Sequence, residues 1–432
     1  MSGENPSIAG VPWAALPSHR TWLAAECDRL LDFAAGSAHP DGGFAWLDDN
    51  GLALLDKPIQ TYITCRMTHV FALGQLLGRP GMGPLADHGV TALLGRLRDT
   101  EHGGWFTAVG PDGAPVEGPK RAYEHAFVVL AASSAVAAGR DGAAQLLTDA
   151  LAVIEERFWI EEDGLLADEW DSEWRTLDPY RGVNANMHAV EAFLAAADVT
   201  GLSIWRERAL RMVERVVHGF ARSNSWSLPE HFDTSWQALP AYNTEDRSHQ
   251  FRPYGVTIGH LMEWARLALH LRAALGPAAP EWLLPDAESL FRAGVRLGWA
   301  VDGAAGFVYT VDWDGAPVVR NRLHWVLAEA IAAAAALGRV TGDPEYERWY
   351  RLWWDHAAAL FLDPVGGSWR HELDFQNRPA ATVWSGKPDV YHALQTTIVP
   401  LLPLAPTFAT ALARGLPPRT TSMSAPAKDD QG

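Results

Sequence analysis

The side chains best equipped for chemistry recur along this chain at nearly even intervals. Arg66, His125, His188, His260, Glu329 and His392 follow one another at spacings of 59, 63, 72, 69 and 63 residues. Each has polar company close by: Tyr62 and His69 flank Arg66, Tyr123 precedes His125, and Asn184 precedes His188. Glu263 follows His260, His324 precedes Glu329, and Tyr391 precedes His392. An imidazole accepts and releases protons near neutrality, so such a set suits general acid–base catalysis. His260 and Glu263 are three residues apart and share one face of a helix. The expectation is that this carboxylate fixes the His260 tautomer and makes its other ring nitrogen more basic. Asn184 and His188, one turn apart, suit hydrogen bonding to vicinal hydroxyls. A single histidine on an apolar helix is most often an ordinary core residue. The common register of this set, drawn from 16 histidines, is what points to a site.

A register of that kind requires a repeated scaffold. Helical periodicity appears about twelve times, for example over 19–35, 61–77, 121–138, 184–199, 205–220, 257–275, 321–340 and 345–361. Between alternate helices lies a short aromatic segment that reads as a β-hairpin. Its copies begin at Gly43-Phe44, Gly104-Trp105, Gly164-Leu165, Ser225-Trp226, Gly306-Phe307 and Gly367-Ser368, separated by 61, 60, 61, 81 and 61 residues. A period near 60 predicts stacked helical hairpins, since one amphipathic pair cannot bury its apolar face alone. An open solenoid is one arrangement of such units. Six units closed into a ring, an all-α (α/α)6 barrel, is the expected one, and it would bring the polar register together on the axis at one end. The fourth unit carries about 20 extra residues, 229–251, long enough to serve as a functional loop over one mouth. One catalytic domain over 1–415 is expected, with a disordered Pro/Ser/Thr/Lys/Asp-rich tail over 416–432.

Composition narrows the function further. Apolar residues make up 48% of the 432 and charged ones 20%, an ordinary globular balance with material for a large core. A net charge of −17 argues against nucleic-acid or anionic-membrane partners, which need a basic face. No apolar run reaches the roughly 18 residues of a membrane span, and the N-terminus lacks the order of a signal peptide. Cys27 and Cys65 are the only cysteines, too few for a disulfide framework. A cytoplasmic protein is therefore expected. Its 20 tryptophans could stack on sugar faces or simply fill the core. Neither a His-Glu-x-x-His array nor a glycine-rich nucleotide loop occurs, so neither a metal nor a cofactor is expected.

From about Trp22 to about Leu402 the chain resembles the N-acylglucosamine 2-epimerase superfamily, and within it the branch of mannose and sulfoquinovose aldose–ketose isomerases. The segments that carry the resemblance are Thr64-Cys-Arg-Met-Thr-His69, Arg121-Ala-Tyr-Glu-His125, Asn184-Ala-Asn-Met-His188, His260-Leu-Met-Glu263, His324-Trp-Val-Leu-Ala-Glu329 and Gly386-Lys-Pro-Asp-Val-Tyr-His392. The resemblance implies an (α/α)6 barrel and a histidine pair, His260 and His392, that moves protons between neighbouring sugar carbons. It implies that Arg66, Tyr123, Asn184, His188, Glu263 and Glu329 hold the sugar or tune that pair. Trp325 is similar to a sugar-facing aromatic of the isomerase branch, and Met187 and Lys387, inside the matched segments, are expected at the sugar as well. On this reading His392 shuttles the proton between C2 and C1 of a free monosaccharide, most simply mannose. His260, tuned by Glu263, serves ring opening, while Arg66 and His188 steady the enediolate. The enzyme would work as a monomer or homodimer. The rival within the fold is a 2-epimerase. A glycoside hydrolase would want two carboxylates where histidines stand, and a non-catalytic scaffold would not need polar groups turned inward.

Overall fold

The computed structural model describes residues 10–116 and 118–416. The expected tail, from residue 417 on, lies outside the described residues. In chain order the helices are α1 (Pro17–Ala34), α2 (Thr61–Leu76), α3 (Met82–Leu94), α4 (Ala122–Ala137), α5 (Ala143–Val153), α6 (Val183–Thr200) and α7 (Ser203–Val213). They continue with α8 (Ile258–Leu275), α9 (Leu283–Gly298), α10 (His324–Thr341), α11 (Pro344–His356), α12 (Tyr391–Ile398) and α13 (Phe408–Ala413).

The even-numbered helices up to α12 are buried on nearly every side and form an inner layer. Each packs on the next, and α12 packs back on α2, so the ring closes. Small residues permit that closeness: the alanine run 332–336 of α10 combines the best helix propensity with the least bulk. The outer layer is amphipathic. α3, α5, α7, α9 and α11 each cover the inner helix before them, and α1 covers α12 from the other end of the chain. Along α11, for instance, Tyr346, Tyr350, Trp353 and Trp354 turn inward, a burial that contributes about 1.5–3 kcal/mol for each large side chain. Trp105, Trp264 and Trp369 are fully buried too, so much of the tryptophan content is packing. The short α13 lies across α2, α4 and α6. This is the (α/α)6 barrel. Among the described residues no helix is long and apolar enough to cross a membrane.

Short antiparallel ladders set the inner helices in register. Ile59–Gln60 pairs with Ala108–Val109, Lys120–Arg121 with Glu169–Trp170, and Arg181–Gly182 with His231–Phe232. Val256–Thr257 pairs with Thr310–Val311, and Arg322–Leu323 with Glu372–Leu373. The first member of each pair runs directly into an inner helix, and the second belongs to the next repeat. The ladders therefore gather the N-termini of the inner helices at one end of the axis. This is also why α10 starts at His324, later than periodicity predicts.

The expected hairpins follow their starts: Trp46–Leu47 pairs with Ala53–Leu54 and Thr310–Val311 with Pro317–Val319. Single bridges close the others, Val109 to Pro115, Trp170 to Leu177, Phe232 to Ala238 and Leu373 to Pro379. Gly104 has φ +71°, and a Cβ there would stand 2.8 Å from Nε2 of His125. At the fourth copy Ser225 and Trp226 make a turn with positive φ and no strand.

Candidate active site

At the ladder end of the axis the inner helices enclose a cleft of about 640 Å³, its open mouth included, a size typical of small-molecule sites. Arg66, Tyr123, Asn184, His188, His260, Glu263, Trp325 and His392 all line it. Tyr123, Asn184, His260, Trp325 and His392 sit in the first turn of their helices. Five helix N-termini thus face one space, a field that favours negative charge developing on a bound oxygen.

His260 and His392 are built alike. Nδ1 of His392 donates to Oε1 of Glu329 at 2.8 Å, and Nδ1 of His260 donates to Oε2 of Glu230 at 3.0 Å. Each carboxylate fixes the tautomer and leaves Nε2 as a lone pair toward the cleft. Trp325 lies between them, its ring 5.4 Å from His260 and 5.7 Å from His392. Gly259 makes this possible, because a Cβ there would come within 2.1 Å of the indole. Burial, reinforced by Arg66, holds the His392 imidazole well below its ordinary pKa, so it is a neutral base at rest.

Two expectations change here. Glu263 does not hold His260; its carboxyl points down the axis, 3.5 Å from Nη2 of Arg266 and 3.7 Å from Nδ1 of His188. The partner of His260 comes instead from the extra segment of the fourth repeat. Glu329, expected at the sugar, does not line the cleft. It stands behind His392 and accepts from Nε of Arg266 at 2.7 Å.

Arg66 anchors the opposite wall. Its Nη1 donates to Oδ2 of Asp389 at 3.1 Å and its Nη2 to the Tyr123 hydroxyl at 2.8 Å. The guanidinium also rests 4.7 Å from the centre of the Phe127 ring, a contact that holds a cation in place. Burial pushes the Asp389 carboxyl up, but the Arg66 guanidinium and the backbone N–H of Tyr391 outweigh it and hold it below the usual range. Asn184 donates weakly to the Phe251 carbonyl at 3.4 Å and keeps a buried, unpartnered Oδ1.

Three candidates fall outside the cleft. His125 accepts from the backbone N–H of Trp105 at 3.2 Å, just as Thr64 accepts from Phe44 and Asn186 from Leu166. It occupies the position that clasps the hairpin, so its place in the polar register is structural. Met187 is fully buried in the helical core. Lys387 is buried and holds Asp363 at 2.8 Å and the Gly367 carbonyl at 2.7 Å. His69 also turns away, to Ser134 at 2.7 Å.

Sequence reasoning missed Glu230, Tyr309, His371, Trp384 and Asp389. Glu230 opens the long fourth segment, the one signal that could have found it. Asp389 sits inside a motif segment but carries no spacing signature of its own. The long segment does cross the mouth: Phe251 packs on Tyr62, Tyr123 and Trp384, and Gln250 donates to the Val383 carbonyl at 2.7 Å.

Two buried triads have the composition of cation ligands: His188 with Glu191 and Glu263, and Glu263 with Glu329 and His392. Neither offers an open set. Glu191 already accepts from the Tyr391 hydroxyl and from Gln395, Glu329 from His392 and Arg266, and the guanidinium supplies the counter-charge.

The family model for N-acylglucosamine 2-epimerase matches residues 42–396. A protein of Thermobifida fusca named D-mannose isomerase is 59% identical over 402 residues, 93% of this chain and 98% of that one. One of the same name from Pseudomonas cannabina pv. alisalensis is 52% identical over 416 residues, 96% of this chain and 99% of that one. The crystal structure of a D-mannose isomerase superposes with a TM-score of 0.82 at 29% identity, covering 92% of this chain and 99% of the other.

Proposed function

Since the chain belongs to the N-acylglucosamine 2-epimerase family, we propose that its axial cleft isomerises D-mannose and D-fructose. The enzyme is an aldose–ketose isomerase. The observation that carries the site assignment is the pair His260 and His392, each with a carboxylate on Nδ1 and both against the Trp325 ring.

The sugar enters as a ring, and opening it needs a proton taken from the C1 hydroxyl and one given to the ring oxygen. His260, oriented by Glu230, serves that exchange. In the open chain Nε2 of His392 removes the proton at C2, and the electron pair shifts to make a cis-enediolate between C1 and C2. Glu329 stabilises the imidazolium that forms. Arg66, preorganised by Asp389 and Tyr123, meets the developing oxyanion, an interaction strongest in the transition state. His260 then carries the proton of the C2 hydroxyl to the C1 oxyanion while His392 returns its own proton to C1. This leaves the C2 oxygen as the ketone carbonyl and the C1 oxygen as a hydroxyl. Asn184 and His188 hold hydroxyls, and Trp325 supplies the apolar face between the two histidines. The buried free thiols of Cys27 and Cys65 fit a reducing, cytoplasmic setting. The described chain forms the cleft without a second copy, consistent with action as a monomer or homodimer.

A 2-epimerase would use the same two histidines on opposite faces of C2, so the reaction is tested by product order in D2O. From mannose, ketose is expected as the first and major product, with deuterium at C1 in proportion to the exchange of the His392 proton with solvent and the remainder of the original proton retained. Early release of the C2-inverted aldose, labelled at C2, would make the enzyme an epimerase.

A further inference from the structure

Beneath the two histidines lies a dry layer of charge. Glu191 of α6, Glu263 of α8 and Glu329 of α10 converge there on one guanidinium, Arg266 of α8, and all four side chains are buried. Two of the carboxylates are satisfied. Glu191 accepts from the Tyr391 hydroxyl and from Nε2 of Gln395 at 2.9 Å, and Glu329 accepts from His392 and Arg266. Glu263 differs. It has no exposed surface and neither of its oxygens has a hydrogen-bond partner. Nδ1 of His188, 3.7 Å away, is buried and unpartnered too.

Three ionised carboxylates around one guanidinium would leave two uncompensated charges away from water, which is prohibitive without pairing. Arg66 does not relieve this, being committed to Asp389. The other groups near Glu263 are Tyr123 on α4, His188 on α6 and Tyr391 and His392 on α12, and none brings a free positive charge. A bound divalent ion would have to take ligands that Tyr391, Gln395, His392 and Arg266 already hold. A proton requires no such exchange, and Glu263, beside which the unpartnered Nη2 of Arg266 stands 3.5 Å away without a hydrogen bond, is the carboxylate with no bonded donor to lose.

We propose that Glu263 is held as a neutral carboxylic acid that donates to Nδ1 of His188, fixing that histidine in the tautomer opposite to His260 and His392. Shortening the present separation by under about 1 Å makes the hydrogen bond. His188 then presents Nε2–H to the cleft, a neutral donor for the carbonyl or enediolate oxygen, whereas its two neighbours present lone pairs. One cleft thus holds two bases and one donor made from the same side chain. Burial, with Glu329 beside it, holds the Glu263 carboxyl well above the usual range. Burial, with Arg66 and the two other imidazoles, keeps His188 uncharged. Glu263 is a positioning residue, acting on substrate through His188.

The test uses the full-length protein. Long-range proton–nitrogen spectra of histidine-labelled enzyme, assigned with H188Q, H260Q and H392Q, should show the proton on Nε2 in His188 and on Nδ1 in the other two. Infrared difference spectra of parent against E263Q should reveal the carbonyl band of a protonated carboxylic acid at neutral pH. E263Q, whose amide can still donate, should keep kcat within about tenfold, and E263L should lose more than about a hundredfold. The proposal fails if His188 carries its proton on Nδ1, if Glu263 is ionised, or if E263Q is no better than E263L. Stoichiometric divalent metal found by mass spectrometry would replace the proton and also overturn it. If E263L does not fold, the spectra and E263Q still decide. The proposal rests on the cleft being the catalytic site, but the spectra need no substrate. They and the D2O experiment can therefore fail independently.

Discussion

Oε2 of Glu230 sits 3.0 Å from Nδ1 of His260, although the two belong to different elements of the fourth repeat. The carboxylate arrives from the segment that also crosses the mouth of the cleft, and not from the helix that carries the histidine. The same segment therefore covers the cleft and sets the tautomer of one of its histidines.

Replacing Glu230 by Gln keeps the shape but withdraws the charge that stabilises an imidazolium at His260. We expect kcat to fall about a hundredfold with an unchanged melting temperature. A variant with normal kcat would show that the ion pair does not serve the reaction.

His392→Ala and His260→Ala should each lower kcat by about two orders of magnitude or more, the usual scale for a general acid–base group. Circular dichroism should remain that of the parent. If either folded variant kept more than about a tenth of the activity, that histidine would lose its assigned role.

The pH dependence has a definite sign. Burial depresses the His188 and His392 pKa values well below the ordinary one, so both stay neutral in mild acid. The acid limb of kcat/KM should therefore lie below about pH 6.5, and a limb centred above that value would contradict a buried neutral His392. Stability follows the same logic. Burial lowers His69 and His324 to about 4 and His125 and His270 to about 3. The stability these four contribute is fully present above the ordinary histidine value and is lost as pH falls toward 4 and then 3. The slope reaches about 1.4 kcal/mol per imidazole and pH unit. A melting temperature that stays flat from neutrality down to about pH 4.5 would count against four buried neutral rings.

Lys387 holds the loop before α12 through Asp363 and the Gly367 carbonyl. Lys387→Met should cost about 3 kcal/mol, the lower end for a broken buried pair, because Asp363 keeps some contact with solvent. Thermal unfolding should come several degrees earlier, while KM for mannose stays within about twofold. A large rise in KM would return Lys387 to the substrate.

The repeat and its closure are legible because every unit must bury the same faces, so helix pairs and glycine-led turns recur near every sixtieth residue. The site is legible in part for the same reason. Arg66 and His188 hold equivalent positions, as do Tyr123 and Asn184, and those residues are where the register leads. His125 shows the limit: two positions along the helix from Tyr123, it binds the hairpin backbone instead of facing the axis. A spacing cannot separate those directions, which differ by about 200° of helical turn. Glu230 and Asp389 lie on irregular backbone, where no period exists to reveal them. Glu263 was readable as a member of the site, but its direction depended on the charges of α6 and α10, which only the closed ring brings near.

Arg66 comes from the first repeat and Asp389 from the sixth, so their ion pair spans the place where the ring joins. Around it the join is held by Trp369 to Glu26 at 2.8 Å and by the Lys387 backbone N–H to the Leu47 carbonyl at 2.9 Å. Among the described residues no disulfide reinforces that seam. Loosening it would part the guanidinium from its carboxylate while every helix kept its own hydrogen bonds. Turnover is then a gauge of whether the circle is shut: on gradual heating it should fade before the far-ultraviolet ellipticity does, and saturating mannose, by bridging the two banks of the seam, should delay the loss.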